Sequence, residues 1–233
     1  MRYLIICLAL LFSNIAQSQN VKPFEGEILF KLEIKGGDEE MNMARQFMPT
    51  GFVYTIKGDN VLIKTLGTNS AIMTGNAVYN AKSNKAFLVQ EASKTIYLIA
   101  PARETEEVSE DASNVPLVVA GTETKTIAGY ICKHFIIASN EEEGDKTEIW
   151  VTDAIQVNMP PALGDNMPID QKIMSIVKGF PLAMQMEGPG GLKITMQAEK
   201  VEKKQISAGV FDMPKGFDVK PLDPNTARPG GEE

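Results

Sequence analysis

From Phe24 to Ile34 the chain reads FEGEILFKLEI, with Phe24, Gly26, Ile28, Phe30, Leu32 and Ile34 on one parity and mostly charged residues on the other. A period of two marks a strand with one buried face and one wet face. Gly36 and Gly37 end it. In the next segment, DEEMNMARQFMPTG, the period changes: Met41, Ala44 and Met48 share a helical face, with Met43 and Phe47 beside it. This predicts a short amphipathic helix that stops before Pro49.

FVYTIK, the turn residues Gly58, Asp59 and Asn60, and VLIKTL then form a hairpin signal. Further short strands are predicted at AIMT from Ala71, AVYN from Ala77, AFLVQ from Ala86 and TIYLI from Thr95. Strands this close together leave no room for helical crossovers, so neighbours run antiparallel in a meander. Between Pro101 and Pro116 the chain turns acidic and reads as a solvated loop; it lacks the Asp/Asn-Gly alternation that shapes a calcium loop. The strand pattern resumes in TKTIAGYICKHFIIAS, passes the acidic turn NEEEGD and continues in TEIWVT, with Trp150 on the inner face. After a Pro-rich loop, Pro168 opens IDQKIMSIVK, where Ile169, Ile173, Ile176 and Val177 follow helical spacing and Gly179 supplies the C-terminus. FPLAMQME and LKITMQAEKVEKKQIS return to strands across the turn Gly188 to Gly191.

The ends change the picture of where this sheet works. Arg2, the apolar run from Tyr3 to Phe12 and the small residues Ala16 and Ser18 have the layout of a secretory signal peptide cleaved before Gln19. The run is about half the 20 residues that cross a bilayer. The expected organisation is therefore a signal peptide at 1–18, a single β-rich domain at 19–220 and a disordered tail at 221–233, with no transmembrane segment after processing. The protein is expected to be exported, to the periplasm or beyond, and to lie at most peripherally on the outer membrane. Removal of Arg2 leaves 22 basic against 30 acidic side chains. That surface repels phosphates, so neither nucleic acid nor an anionic membrane is an expected partner.

Candidate chemistry is sparse. Cys7 leaves with the signal, so Cys132 has no intramolecular disulfide partner and reads as a small buried residue in YICKHFII. His134, the single histidine, shares its strand face, but successive residues on one face stand about 7 Å apart, a poor geometry for a Cys-His nucleophile. Zinc needs more His and Cys ligands than the processed chain offers. Gly188 to Gly191 lies between strands and opens no helix, so it is not a phosphate loop. Carboxylates are plentiful, yet nothing argues for a paired acid and base. No enzyme, metal or cofactor is expected. Methionine is the compositional oddity, with twelve in the chain. The plain reading is that they fill a core. The sharper one is that Met41, Met43 and Met48, with Ile173, Met174, Ile176 and Val177, line an apolar cavity between helices and sheet.

FEGEILFKLEI, TKTIAGYICKHFII followed by TEIWVT, GFPLAMQM and the closing VFDMPKGFDV together resemble a family of secreted proteins of Gram-negative bacteria defined only as a domain of unknown function, similar to the lipoprotein-carrier (LolA/LolB-like) fold. The resemblance spans most of the processed chain, through Thr124 or Thr126, Ile127, Gly129, Tyr130, Cys132 and Trp150 in its central pattern. It implies a mainly β fold: a curved antiparallel sheet, an incomplete β-barrel, with a few short helices covering the concave face. Carriers of that fold hold acyl chains in the concavity without a catalytic residue. The function expected is a non-enzymatic envelope module for lipid, lipoprotein or another hydrophobic ligand. The alternative is an envelope interaction or scaffold protein with a filled core.

Overall fold

The computed structural model describes residues 23–67, 75–100, 117–138, 146–157 and 171–222. The signal segment, the AIMT strand, the acidic run 101–116, the NEEEGD turn, Pro168 and the tail from 223 lie outside the described residues.

Twelve strands among these residues join in one sheet. Six are N-terminal: β1 (Glu25–Lys35), β2 (Gly51–Lys57), β3 (Asn60–Leu66), β4 (Asn76–Asn80), β5 (Lys85–Gln90) and β6 (Thr95–Ile99). The second set is β7 (Leu117–Ile127), β8 (Tyr130–Ala138), β9 (Lys146–Thr152), β10 (Phe180–Gly188) and β11 (Leu192–Lys203), followed by the short β12 (Asp218–Pro221). The strand order is β12-β6-β5-β4-β3-β2-β1-β11-β10-β9-β8-β7. Each set is a meander of local hairpins, and one long-range antiparallel pairing, β1 with β11 from Gly26 opposite Lys203 to Lys35 opposite Lys193, fuses them. Every described pair is antiparallel except β12 with β6. The class is mainly β, an open curved sheet, as the period-two pattern predicts.

Two contacts measure the curvature. Tyr54 on β2 and Phe180 on β10 are three places apart in the sheet, about 14 Å if it were flat. Their ring centroids are 6.4 Å apart. Lys125 on β7 donates to Gln197 Oε1 on β11 at 3.0 Å, across four places. Strand bulges supply the bend: register shifts between Leu29 and Phe30 in β1, Ala120 and Thr124 in β7, and Pro181 and Ala183 in β10.

The first helix is shorter than its sequence pattern, and Ile169, at the start of the second helical pattern, lies outside the described residues. α1 runs from Glu39 to Ala44, capped by the Asp38 side chain accepting from the Met41 amide at 2.9 Å, and Arg45–Phe47 continue it as a 3-10 turn. α2 spans Gln171–Val177. Two local readings need correction. TKTIAGYICKHFIIAS is not one strand but a hairpin, broken at Ala128 (φ 47°) and Gly129 (φ 86°). Two positive φ angles are what a tight hairpin turn needs, and alanine at the first hides it from sequence. The end of α2 is made not by Gly179 but by Lys178, at φ 47°, whose amide donates to the Met174 carbonyl at 3.3 Å. Gly179 serves proximity instead: a Cβ there would lie 2.6 Å from the Thr152 carbonyl oxygen.

Apolar residues are buried on both sides of the sheet. The larger cluster joins the two meanders through Ile28, Phe30, Tyr54, Ile149, Phe180 and Met184, with Ile155 from the segment after β9 and Ile173 and Val177 of α2. The second covers Leu62, Val78, Phe87, Val89 and Ile96, residues of the opposite parity on β3 to β6. Ile206 and Phe211 seal it from the strap that follows β11. The strap is pinned at both points: Glu25 Oε1 accepts from the Ile206 amide at 2.8 Å, Lys57 Nζ donates to the Ile206 carbonyl at 2.6 Å, and Asn80 Nδ2 donates to the Phe211 carbonyl at 3.1 Å.

Candidate functional site

The main cluster, to which Ile173 and Val177 of α2 belong, contains an aromatic group. Phe30, from the alternating parity of β1, packs edge-on against Tyr54 at 5.1 Å and lies 6.4 Å from Phe180, so the three rings form one group. Such offset geometries suit ring quadrupoles and add to the burial of large apolar areas. Burial pushes the Tyr54 hydroxyl pKa far upward, so the ring stays neutral. Phe180 is delivered to the group by the β10 bulge and the close approach at Gly179.

The structure divides the seven residues that the sequence nominates. Ile173 and Val177 are buried in the main cluster and Met174 packs against it, half-buried, while Ile176 is 48% exposed. Of the α1 set, Met41 and Met48 are half-buried and Met43 is 59% exposed; none joins a core cluster. The two sets hang from opposite ends of the strands. α1 leaves β1 where Lys35 pairs with Lys193, next to the Gly188 end of β10, whereas α2 enters β10 at Phe180. Nine residues of strand separate those ends, about 27 Å. What puts Ile173 and Val177 together in the main cluster is their spacing of one helical turn, legible in sequence. The members that the sequence does not nominate are Phe30, Tyr54 and Phe180, which lie in predicted strands and meet only through the bend of the sheet, and Ile155, which reaches the cluster from a loop.

The buried polar residues make a different pattern. His134 stacks on Trp150 with centroids 4.9 Å apart, and its other side faces Gly121, where a Cβ would come within 2.5 Å of Nδ1. Its Nε2 lies 3.2 Å from Glu148 Oε2. Lys146 reaches the same carboxylate at 2.6 Å and is the leading cause of its lowered pKa, with His134 adding to it. Lys125 Nζ sits 5.3 Å from the Trp150 ring centre. The imidazole is thus wedged between an edge strand and an indole. Cys132, on the same face of β8, is fully buried, with its thiol pKa raised by desolvation to about 11. A neutral, buried thiol is a poor nucleophile.

Among the described residues no His, Cys, Asp and Glu group of three or more is placed to hold a metal ion, and no helix is long and apolar enough to cross a membrane.

Comparison with solved structures finds distant likenesses. PNGF-II is 16% identical over 86% of this chain, with a TM-score of 0.46, and the chain spans only 31% of that protein's length. An uncharacterized conserved protein from Thermus thermophilus is 7% identical over 84% of this chain and 90% of its own, with a TM-score of 0.45. A LolA superfamily protein from Nitrosomonas europaea is 7% identical over 83% of this chain and 93% of its own, with a TM-score of 0.34. No curated protein matches by sequence. A family model does match, over residues 24–217, from the opening of β1 to the end of the strap, and the chain belongs to that family, the domain of unknown function DUF4412.

Proposed function

We propose that the protein is an exported, non-enzymatic module of the cell envelope that takes a lipid-like or other hydrophobic ligand into the main cluster on which α2 docks. The observation that carries this reading is the nature of the cover. α2, described over Gln171–Val177, docks on the main cluster through Ile173, Val177 and Met174 and leaves Ile176 exposed. Lifting it would open the main cluster, which holds Phe30, Tyr54 and Phe180, to an acyl chain whose burial stabilises by about 0.8 kcal/mol per methylene. Met174 then stands at the rim, and Ile176 faces away from the cluster. The α1 residues Met41, Met43 and Met48 enter only for a ligand as long as the strands. Export follows from the signal peptide at 1–18, and N-terminal sequencing of envelope protein should return Gln19 as the first residue.

A scaffold with a filled core is the competing reading, favoured by the complete burial of Phe30, Ile155 and Leu182. Native mass spectrometry of protein purified from a bacterial envelope separates the two. A co-purified lipid, displaced by added fatty acid, supports the ligand module. Protein at bare polypeptide mass that binds no fluorescent fatty acid leaves the scaffold.

A further inference from the structure

Lys203, the last residue of β11, stands on the face of the sheet that carries the main cluster. It lies opposite Gly26 of β1, with Val201 opposite Ile28 next along, and residues directly opposed on neighbouring strands share a face. Gly26 brings no side chain to that row, and its partner on β2, Ile56, is fully buried in the main cluster. The Lys203 ammonium sits 6.0 Å from the ring centre of Tyr130 on β8, three places away across the bend of the sheet. Tyr130 and Val201 both pack against the main cluster. β10 begins at Phe180, just after α2, and runs antiparallel to β11 with Ala183 opposite Gln197, so Lys203 lies at the α2 end of the strands.

The glutamates beside Lys203 are neutralised without it. Glu25 and Glu27, on either side of Gly26, pair with Lys57 at 2.9 Å and Lys204 at 2.6 Å, and Glu202 pairs with Lys200 at 2.6 Å. Lys203 pairs with no carboxylate among the described residues, in a chain where acidic side chains outnumber basic ones by 30 to 23. Its one contact, the Tyr130 ring, is at the outer reach of a cation-π attraction and takes none of the three N–H donors of the ammonium. A surplus cation thus stands at the margin of an apolar cluster. Its chemical complement is an anionic oxygen carried on a hydrocarbon chain.

We propose that Lys203 binds the anionic head, carboxylate or phosphate, of an acyl ligand whose chain enters the main cluster. This rests on the ligand reading above and adds to it the sign of the ligand's charge. The surface as a whole is acidic, so the preference for an anion is local to this one ammonium.

The test displaces a neutral apolar dye, N-phenyl-1-naphthylamine, from the full chain with laurate, dodecyl phosphate, dodecanol and inorganic phosphate. Laurate and dodecyl phosphate should compete at about tenfold lower concentration than dodecanol, and inorganic phosphate should not compete. Lys203→Gln should erase the preference for the charged compounds, and Lys203→Arg should keep it. Lys203 is exposed, so both variants should melt as the parent does. Equal competition by laurate and dodecanol, a preference that survives Lys203→Gln, or displacement by inorganic phosphate alone overturns the head-group site and leaves the apolar module standing. A chain that takes up neither the dye nor any alkyl compound overturns both.

Discussion

Cys132 and the Lys178-Gly179 pair show how single positions are set by neighbours distant in sequence. Cys132 is fully buried with its thiol pKa raised to about 11, so at neutral pH almost no thiolate is present to attack. A maleimide should label the native protein far more slowly than the denatured one, with labelling accelerating as pH climbs toward that value. Rapid native labelling at pH 7 would refute this. Cys132→Ala should cost on the order of 1 kcal/mol in urea unfolding, through lost packing alone. The two residues after α2 should respond with opposite signs. Lys178 holds a left-handed conformation that glycine adopts without steric cost, so Lys178→Gly should be neutral or stabilising by up to about 1 kcal/mol. Gly179→Ala drives a methyl toward the Thr152 carbonyl and the Val151 side chain, and should destabilise by roughly 1 to 3 kcal/mol. Loss of stability in Lys178→Gly together with tolerance of Gly179→Ala would reverse the assignment of which residue turns the chain.

Among the elements, α2 is where the ligand reading is decided. Ile173 is 8% exposed and Ile176 48% exposed on the same seven residues, so one helix carries both a test position and its control. Ile176→Trp should leave the melting temperature near that of the parent. Ile173→Trp pushes a larger ring into the cluster. In a ligand module it should abolish fluorescent fatty-acid uptake while the sheet still melts cooperatively. In a filled scaffold it should lower stability by roughly 1 to 3 kcal/mol with no uptake to lose. Titration of fatty acid into the parent and both variants, followed by thermal melts, gives the answer. Ile173→Trp that binds as the parent does would sink the placement of ligand beneath α2.

Over the whole molecule, the strap after β11 ties the chain's end to its beginning. Phe211→Ala opens a cavity beneath the outer cluster and should cost about 3 to 5 kcal/mol, the range for deleting a buried phenyl ring. The strap should also loosen in acid. The Ile206 amide, and after it the Lys57 ammonium, hold the Glu25 carboxyl below its ordinary value of 4.5. A depressed folded pKa means that this carboxylate stabilises the native state above pH 4.5, and that its contribution fades as pH falls through the lower folded value. Hydrogen exchange at residues 204–211 should therefore quicken below about pH 4.5 relative to β1. Glu25→Gln should flatten that dependence, and an unchanged acid response in this variant would place the sensitivity elsewhere.

Alternation of apolar and charged residues by itself determined the class of this protein and the position of most strands, because a side-chain period of two is a property of the strand alone. FEGEILFKLEI and LKITMQAEKV announce β1 and β11 in this way. That the two pair with one another, fusing two local meanders across more than 150 residues of chain, was decided only in the tertiary structure, because either strand offers the same unsigned row of backbone donors and acceptors to any partner. The same limit hid the turn at Ala128, whose positive φ is enforced by the hairpin and not by its residue type. It hid the strap, where Ile206, Phe211, Met213 and Phe217 follow no period because they fill hollows made by other strands. At the candidate site, helical spacing marked Ile173 and Val177, while curvature brought Phe180 from β10 to within 6.4 Å of Phe30 and Tyr54. Periodicity reports which face of an element seeks burial; what it meets there depends on bulges and bends that accumulate along the sheet.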